Sequence, residues 1–253
     1  MLDYVNRFKY TFATTAVMMV LTITSDAHAD PSPTLQIGVA GAIDIQAYKN
    51  NNFPVTTFPS IFFDSKHFYI DGDEVGVYAL HTEKHQLKLN LYYDSTEFKP
   101  SDTLSQLNKR RPALMAGGSY TYISPYGGFQ ILAEKDVQSR RHGSFATLAY
   151  LAEAHYKQWT FSPELGVQWN DQHYNNYYYG VSHAEAERSQ IQEYRPKQSI
   201  QPYFSLDIGY QINPHWTLYT SHQVTRLSRQ QQQSPMVDKV ADVSNTLGIL
   251  YRF

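Results

Sequence analysis

SNTLGILYRF, residues 244–253, closes the chain with apolar side chains at every second position. Successive side chains of an extended strand point to opposite faces, so Leu247, Ile249, Tyr251 and Phe253 share one face. Ser244, Thr246, Gly248 and Arg252 share the other. One face suits hydrocarbon and the other suits water. An ordinary soluble edge strand could end the same way, so the rest of the chain has to choose between the two.

The opposite end favours export. Arg7 and Lys9 precede an apolar run from Tyr10 to Ile23, and Ala27, His28 and Ala29 form a small-x-small cleavage pattern. This predicts a signal peptide over residues 1–29, with Asp30 opening the mature domain. The run is short for a spanning helix, and a mean hydropathy of -0.48 leaves no other candidate. Membrane residence therefore requires a closed barrel, the other structure that satisfies every backbone polar group in lipid. On that reading Leu247, Ile249, Tyr251 and Phe253 form the closing-strand signal presented to the barrel-assembly machinery in Gram-negative cells.

Removing 29 of 253 residues leaves 224, enough for one barrel of about a dozen strands. With 21 Tyr, 13 Phe and 3 Trp the chain has the rings that interfacial girdles use. It has no Cys, so stability in an oxidising compartment must come from the sheet rather than from covalent staples. A net charge of -2 without a basic stripe excludes nucleic acid as a partner.

Alternation recurs along the chain. Leu35, Ile37, Val39, Ile43 and Ile45 alternate with Gln36, Gly38, Ala40, Ala42, Asp44 and Gln46. Leu87, Leu89, Leu91 and Tyr93 do so with Gln86, Lys88, Asn90 and Tyr92. The same pattern runs through Thr160–Trp169 and Tyr203–Tyr210, and weaker versions cover about 55–63, 67–71, 74–81, 112–123, 127–137, 144–156 and 215–228. With the terminal strand these make twelve, Phe68–Ile70 being the weakest. Asp44, Lys88, Glu134, Glu153, Glu164 and Asp207 lie on the polar faces, which a sandwich would turn outward and a barrel would turn into its lumen.

Loop lengths separate these alternatives. With both termini periplasmic, the periplasmic turns are 64–66, 81–84, 124–126, 157–158 and 213–214, all short. The outer loops are 48–54, 71–73, 95–111, 138–143, 171–200 and 229–243, so all three long loops fall on one side, as an outer-membrane barrel requires. Tyr120, Tyr122, Tyr126, Tyr156, Trp159, Tyr210, Trp216, Tyr251 and Phe253 gather near the periplasmic ends, where ring and polar tip can each find their solvent. The expected fold is an all-β transmembrane antiparallel β-barrel of about twelve strands with periplasmic termini, set in outer-membrane lipid and lipopolysaccharide.

Several stretches resemble the MipA/OmpV family of outer-membrane proteins: FSPELGVQWNDQHYNNYYYGVSHAEAE at 161–187 with Tyr194, NPHWTLYTSHQVTRLS, Ser234-Pro235-Met236-Val237, and the closing LGILYRF. RRPALMAGGSYTY, ending at Tyr122, is a looser match, and the first strand and Arg229–Gln233 depart from the family pattern. The resemblance covers the mature chain and implies a barrel. Some members are described as scaffolds joining a murein lytic transglycosylase to a bifunctional penicillin-binding protein, others as adhesins or factors altering antibiotic susceptibility.

Catalytic patterns are weak. Ser221 and His222 are adjacent in a strand and so point to opposite faces. Ser182 and His183 sit in the longest loop, and His81 and His85 flank a turn without the helical order of a zinc motif. Glu153, Glu164 and Asp207 read as a solvated or salt-bridged lumen more readily than as acid/base carboxylates. Lys109, Arg110 and Arg111 form a basic cluster placed either against lipopolysaccharide phosphates or in open solvent. No enzyme activity, cofactor or metal site is expected.

The 171–200 loop is the candidate for a specific role, since thirty residues without strand pattern are usually functional or disordered. AEAERSQIQEY has the composition of a short helix. Tyr174, Tyr177, Tyr178 and Tyr179 with Gly180 and Tyr194 could pack it into the barrel mouth as a plug or recognition element, or the loop could be mobile. The expected function is a monomeric scaffold binding the transglycosylase and synthase from the periplasmic side. The alternative is a passive small-solute channel or surface adhesin acting through the outer loops.

Overall fold

The computed structural model describes residues 33–49, 55–138 and 143–253; the expected signal peptide lies outside these residues. In chain order the strands are β1 (Thr34–Ile45), β2 (Val55–Asp64), β3 (Phe68–Asp71), β4 (Glu74–His81), β5 (His85–Asp94), β6 (Ala113–Ser124) and β7 (Gly127–Asp136). There follow β8 (Ser144–Leu151), β9 (Ala154–Tyr156), β10 (Trp159–Asn170), β11 (Ser199–Gln211), β12 (Trp216–Arg226) and β13 (Ala241–Arg252). β8 and β9 both pair with β10 and are one strand interrupted at Ala152 and Glu153. The wall is therefore a twelve-stranded antiparallel barrel, and the even count expected from the sequence holds.

Closure is made by the two terminal strands. β1 pairs with β13 from Gln36↔Arg252 to Ile45↔Val243, so SNTLGILYRF lies between β1 and β12 with no free edge. That matters in lipid, where an unpaired edge has no water to bond. The expected alternation is present. Leu89 is 53% exposed, Leu165 61% and Leu247 59%, all on the outer face. Gln86, Lys88, Glu134, Glu164, Gln201 and Asp207 are buried inside. An apolar belt of this extent on a monomer marks a membrane contact, and the protein resides in the outer membrane.

Inside the lumen, tyrosines lie across glycines of the neighbouring strand. Tyr203 opposes Gly166, Tyr219 opposes Gly248 and Tyr69 opposes Gly76. A Cβ on Gly166 would sit 2.4 Å from the Tyr203 ring, so only glycine allows the ring to lie flat on the wall. Each phenol then reaches a polar partner: Tyr203 bonds Glu164, Tyr69 bonds Glu74, and Tyr219 meets Ser60 Oγ at 3.0 Å.

The periplasmic turns between strands are two to four residues long and every long loop lies at the other end, as loop parity implies. The aromatic belt also forms near the turns: Trp159 packs on Tyr210 at 4.7 Å, and Tyr251 packs on Trp216 at 5.0 Å and on Phe253 at 4.9 Å. Two details differ from the sequence reading. β11 begins at Ser199, and the preceding loop carries two helices, α1 (Gln172–Tyr179) and α2 (His183–Ser189), where one was expected. A third, α3 (Arg229–Gln232), occupies the glutamine tract.

Candidate functional site: a packed cap on the outer mouth

The outer loops converge on a second hydrophobic core above the lumen. Its centre is Tyr48, Phe98, Leu104, Tyr174, Tyr178 and Met236, drawn from four loops and sealed against strand residues such as Met115 and Phe145. Such a cluster resists water because each ring and aliphatic chain loses accessible area only when all the loops dock together.

α1 is built from poor helix formers, QHYNNYYY, and so depends on its packing. Asp171 caps it, accepting from Tyr174 N–H at 2.7 Å, and also accepts from Ser144 N–H at 3.0 Å, which pins the helix start to β8. Tyr174 and Tyr178, one turn apart, pack tilted against each other with ring centroids at 4.8 Å and are buried in the mouth. Tyr48 donates its hydroxyl to Tyr178 O at 3.1 Å and packs on Phe98 at 4.8 Å. Burial raises the hydroxyl pKa of Tyr174, Tyr178 and Tyr179, so these phenols stay neutral.

α2 is held by charge. Ser182 caps it in a reciprocal box with Glu185. Glu185 Oε2 accepts from Ser182 N–H at 2.9 Å and from its hydroxyl at 2.7 Å, while Oε1 accepts from Asn108 N–H at 2.9 Å and from Arg110 Nη1 at 2.8 Å. Burial alone would raise the Glu185 carboxyl, but the Arg110 guanidinium and the backbone donors outweigh it and hold the group at about 2. Arg110 Nη2 also donates to Gly180 O at 3.0 Å. Glycine suits that position because a Cβ would lie 2.4 Å from Asn176 O.

The glutamine tract completes the cap. Gln231 is buried and donates to Asn175 Oδ1 at 3.2 Å, and Tyr194 donates to Gln230 O at 2.6 Å. Ser234 donates to Tyr179 O at 2.7 Å. Val181 and Tyr194 exchange backbone hydrogen bonds at 2.9 and 3.0 Å, closing the α2 loop on itself.

Of the loop residues singled out from the sequence, Tyr174, Tyr178, Tyr179 and Gly180 are buried together in the cap. Tyr177 is half-buried, edge-on to Tyr178 at 4.9 Å, and accepts from Arg111 N–H at 2.8 Å. Leu247, Ile249 and Tyr251 face outward on β13, with Phe253 beyond it at the periplasmic rim. Sequence reasoning missed Tyr48, Phe98 and Leu104. The available signal was apolar residues inside otherwise polar loops.

The basic cluster is corrected. Arg110 does not face lipopolysaccharide or solvent; it is buried against Glu185, because a desolvated guanidinium needs a carboxylate. Lys109 pairs with Glu97 at 3.3 Å, and Arg111 is exposed. Ser221 is buried and His222 exposed, on opposite faces as expected. Ser182 is occupied as a helix cap, while the ring of His183 lies 3.2 Å from both Glu187 and Glu193. His81 packs on Tyr78 and His85 on Tyr120, so they share no site. Glu164 is engaged by Tyr203, and Glu153 by His155 near the periplasmic end. Among the described residues no group of three or more metal-ligating side chains converges.

Comparison with known proteins agrees with this architecture. Residues 37–253 match the family model described as MltA-interacting protein MipA. The MltA-interacting protein of Escherichia coli is 31% identical over 93% of this chain and 96% of its own length. The putative outer membrane protein YiaT of the same species is 28% identical over 87% of this chain and 91% of its own. A solved outer membrane channel from Pseudomonas putida F1 aligns with 92% of this chain and 100% of its own at 11% identity, with a TM-score of 0.49.

Proposed function

Because this chain belongs to the MltA-interacting protein MipA family, we propose that it is a non-catalytic outer-membrane adaptor whose periplasmic rim binds a murein lytic transglycosylase and, with it, a bifunctional penicillin-binding synthase. The observation that carries the reading is the asymmetry between the two ends of the barrel. The outer mouth is closed by a core of loop side chains, which supports a binding role over axial solute passage. The periplasmic end has only short turns and presents Tyr126 at 84% exposure, Tyr156 at 64% and Phe253 at 71%. Exposed aromatics on a rigid frame are what a docking surface uses, since rings bury much area at little entropic cost.

The name of the relative at 31% identity states an interaction with MltA, a further support for this partner class. The test is retention of a purified lytic transglycosylase on the full-length protein in detergent or nanodiscs. Retention, lost when residues 82–84, 125–126, 157–158 and 212–215 are replaced by Gly/Asn linkers, supports the adaptor. Equal retention by the turn-replaced protein, or none by either, overturns it.

A further inference from the structure

The outer face of the wall carries a polar cluster where a lipid contact calls for apolar side chains. On β12 the side chains of Leu218, Thr220, His222 and Val224 alternate to the lipid side, opposite the buried Tyr219, Ser221 and Gln223. On β13 Asn245 stands directly across from His222, and Leu247 across from Thr220. Leu206 of β11 and Ile43 of β1 border the group on its two sides. The three polar residues therefore sit inside the apolar band, where such groups lower stability and mark function.

The three side chains form one relay. His222 Nδ1 donates to Asn245 Oδ1 at 2.8 Å, so this nitrogen carries the ring proton. Nε2 then presents a lone pair, 3.1 Å from Thr220 Oγ1. The hydroxyl has one proton and two acceptors in reach, Nε2 and Thr246 O at 2.8 Å, and rotation about its C–O bond turns it to the ring. A hydroxyl, an imidazole and an orienting amide in this order are the parts of an activated nucleophile. Ser221 is the hydroxyl beside His222 in the sequence, but the one that meets the ring is Thr220, two positions before it.

The surroundings select the substrate. A relay reached through the bilayer meets acyl chains, and the electrophile those chains carry is the ester carbonyl of a glycerolipid.

We propose that Thr220 and His222 form a lipid-facing acyl-transfer site for the ester of a membrane glycerophospholipid, with Asn245 as the positioning residue. Thr220 Oγ bonds to the ester carbonyl carbon as its proton passes to His222 Nε2. The bond from that carbon to the lysolipid oxygen then breaks, and the oxygen takes the proton from Nε2. Water adds to the acyl-threonine, giving a proton to Nε2, and Thr220 Oγ leaves with that proton as the fatty acid is released. The activity belongs to the wall that faces lipid, and the non-catalytic character of the adaptor then describes the periplasmic rim alone.

Protein refolded from inclusion bodies into detergent, and so free of other membrane enzymes, is treated with hexadecanesulfonyl fluoride and mapped by mass spectrometry. The expected results are a sulfonyl adduct on Thr220 and release of lysolipid from a dioleoyl phospholipid in mixed micelles. Thr220→Val and His222→Leu should each lower lysolipid release about a hundredfold, the scale of a lost nucleophile or base, while Thr220→Ser should retain it. Asn245→Leu should lower it at least tenfold, and Asn245→Asp, which still accepts from Nδ1, should restore most of it. Apolar side chains suit a lipid-facing position, so the Val and Leu variants should keep or raise the gel-shift melting temperature, which separates lost chemistry from lost folding. No adduct on Thr220, release unchanged in Thr220→Val, or equal release by Asn245→Leu and the parent each overturns the proposal.

Discussion

Arg110 and Glu185 lie 75 positions apart in the chain and meet at 2.8 Å inside the cap, both buried. The contact joins the loop after β5 to the helix α2. Breaking one side of such a pair leaves a desolvated charge, which costs about 3–5 kcal/mol.

Glu185→Gln is therefore expected to loosen the cap while leaving the barrel intact. Limited proteolysis should cleave within residues 95–112 and 171–198 at least tenfold faster than in the parent, with heat-modifiable gel mobility unchanged. Equal cleavage rates would remove the pair from its assigned role.

The same carboxyl makes cap docking sensitive to acid. Its folded value of about 2 lies below the ordinary 4.5, so its contribution is fully present above about 4.5 and is lost as pH falls toward 2. Protease sensitivity of the loops should rise across that window in the parent. In Glu185→Gln this group's share of the dependence should vanish, and an unaltered profile would refute the assignment.

Closure of the outer mouth predicts low axial conductance. Asn170 pairs directly with Ser199, so residues 171–198 can be exchanged for a short Gly/Ser linker without parting β10 from β11. In planar bilayers the parent should be nearly silent and the shortened protein should conduct. Large stable steps from the parent would contradict a closed mouth.

Gly166→Ala tests the ring laid on the lumen wall. The added methyl meets the Tyr203 ring at 2.4 Å, and overpacking of this kind costs about 1–3 kcal/mol. The gel-shift melting temperature should fall, and Tyr203→Ala in the same chain should recover part of the loss in a double-mutant cycle. Additive losses would show that the two positions do not interact.

Phe253 and the outward row above it are proposed as the assembly signal. Removing Phe253 should lower the outer-membrane yield several-fold while protein refolded in detergent keeps its thermal stability. Normal yield in cells would dismiss that role.

The strands were legible because their pattern is local. Leu87 to Tyr93 alternate whatever lies beside them, and the register of a hairpin follows from a short turn such as Pro125–Tyr126. Even β3, four residues long, keeps its place because losing it would invert every later strand. The cap was only half legible. The tyrosines at 174–179 stood out as rings in a loop, but α1 has no helical composition to announce it and the repeated glutamines of α3 carry no positional contrast. Arg110 looked like one of three basic residues at a loop end, since its partner lies far along the chain.

Composition, period and loop parity by themselves determined a twelve-stranded outer-membrane barrel, because which face of a strand meets lipid is a property of neighbours two residues apart. Only the tertiary structure decided that side chains of four outer loops pack into one core and that Arg110 turns inward to Glu185. Those outcomes depend on contacts between segments tens of residues apart, where burial and pairing energies, not local alternation, select the conformation.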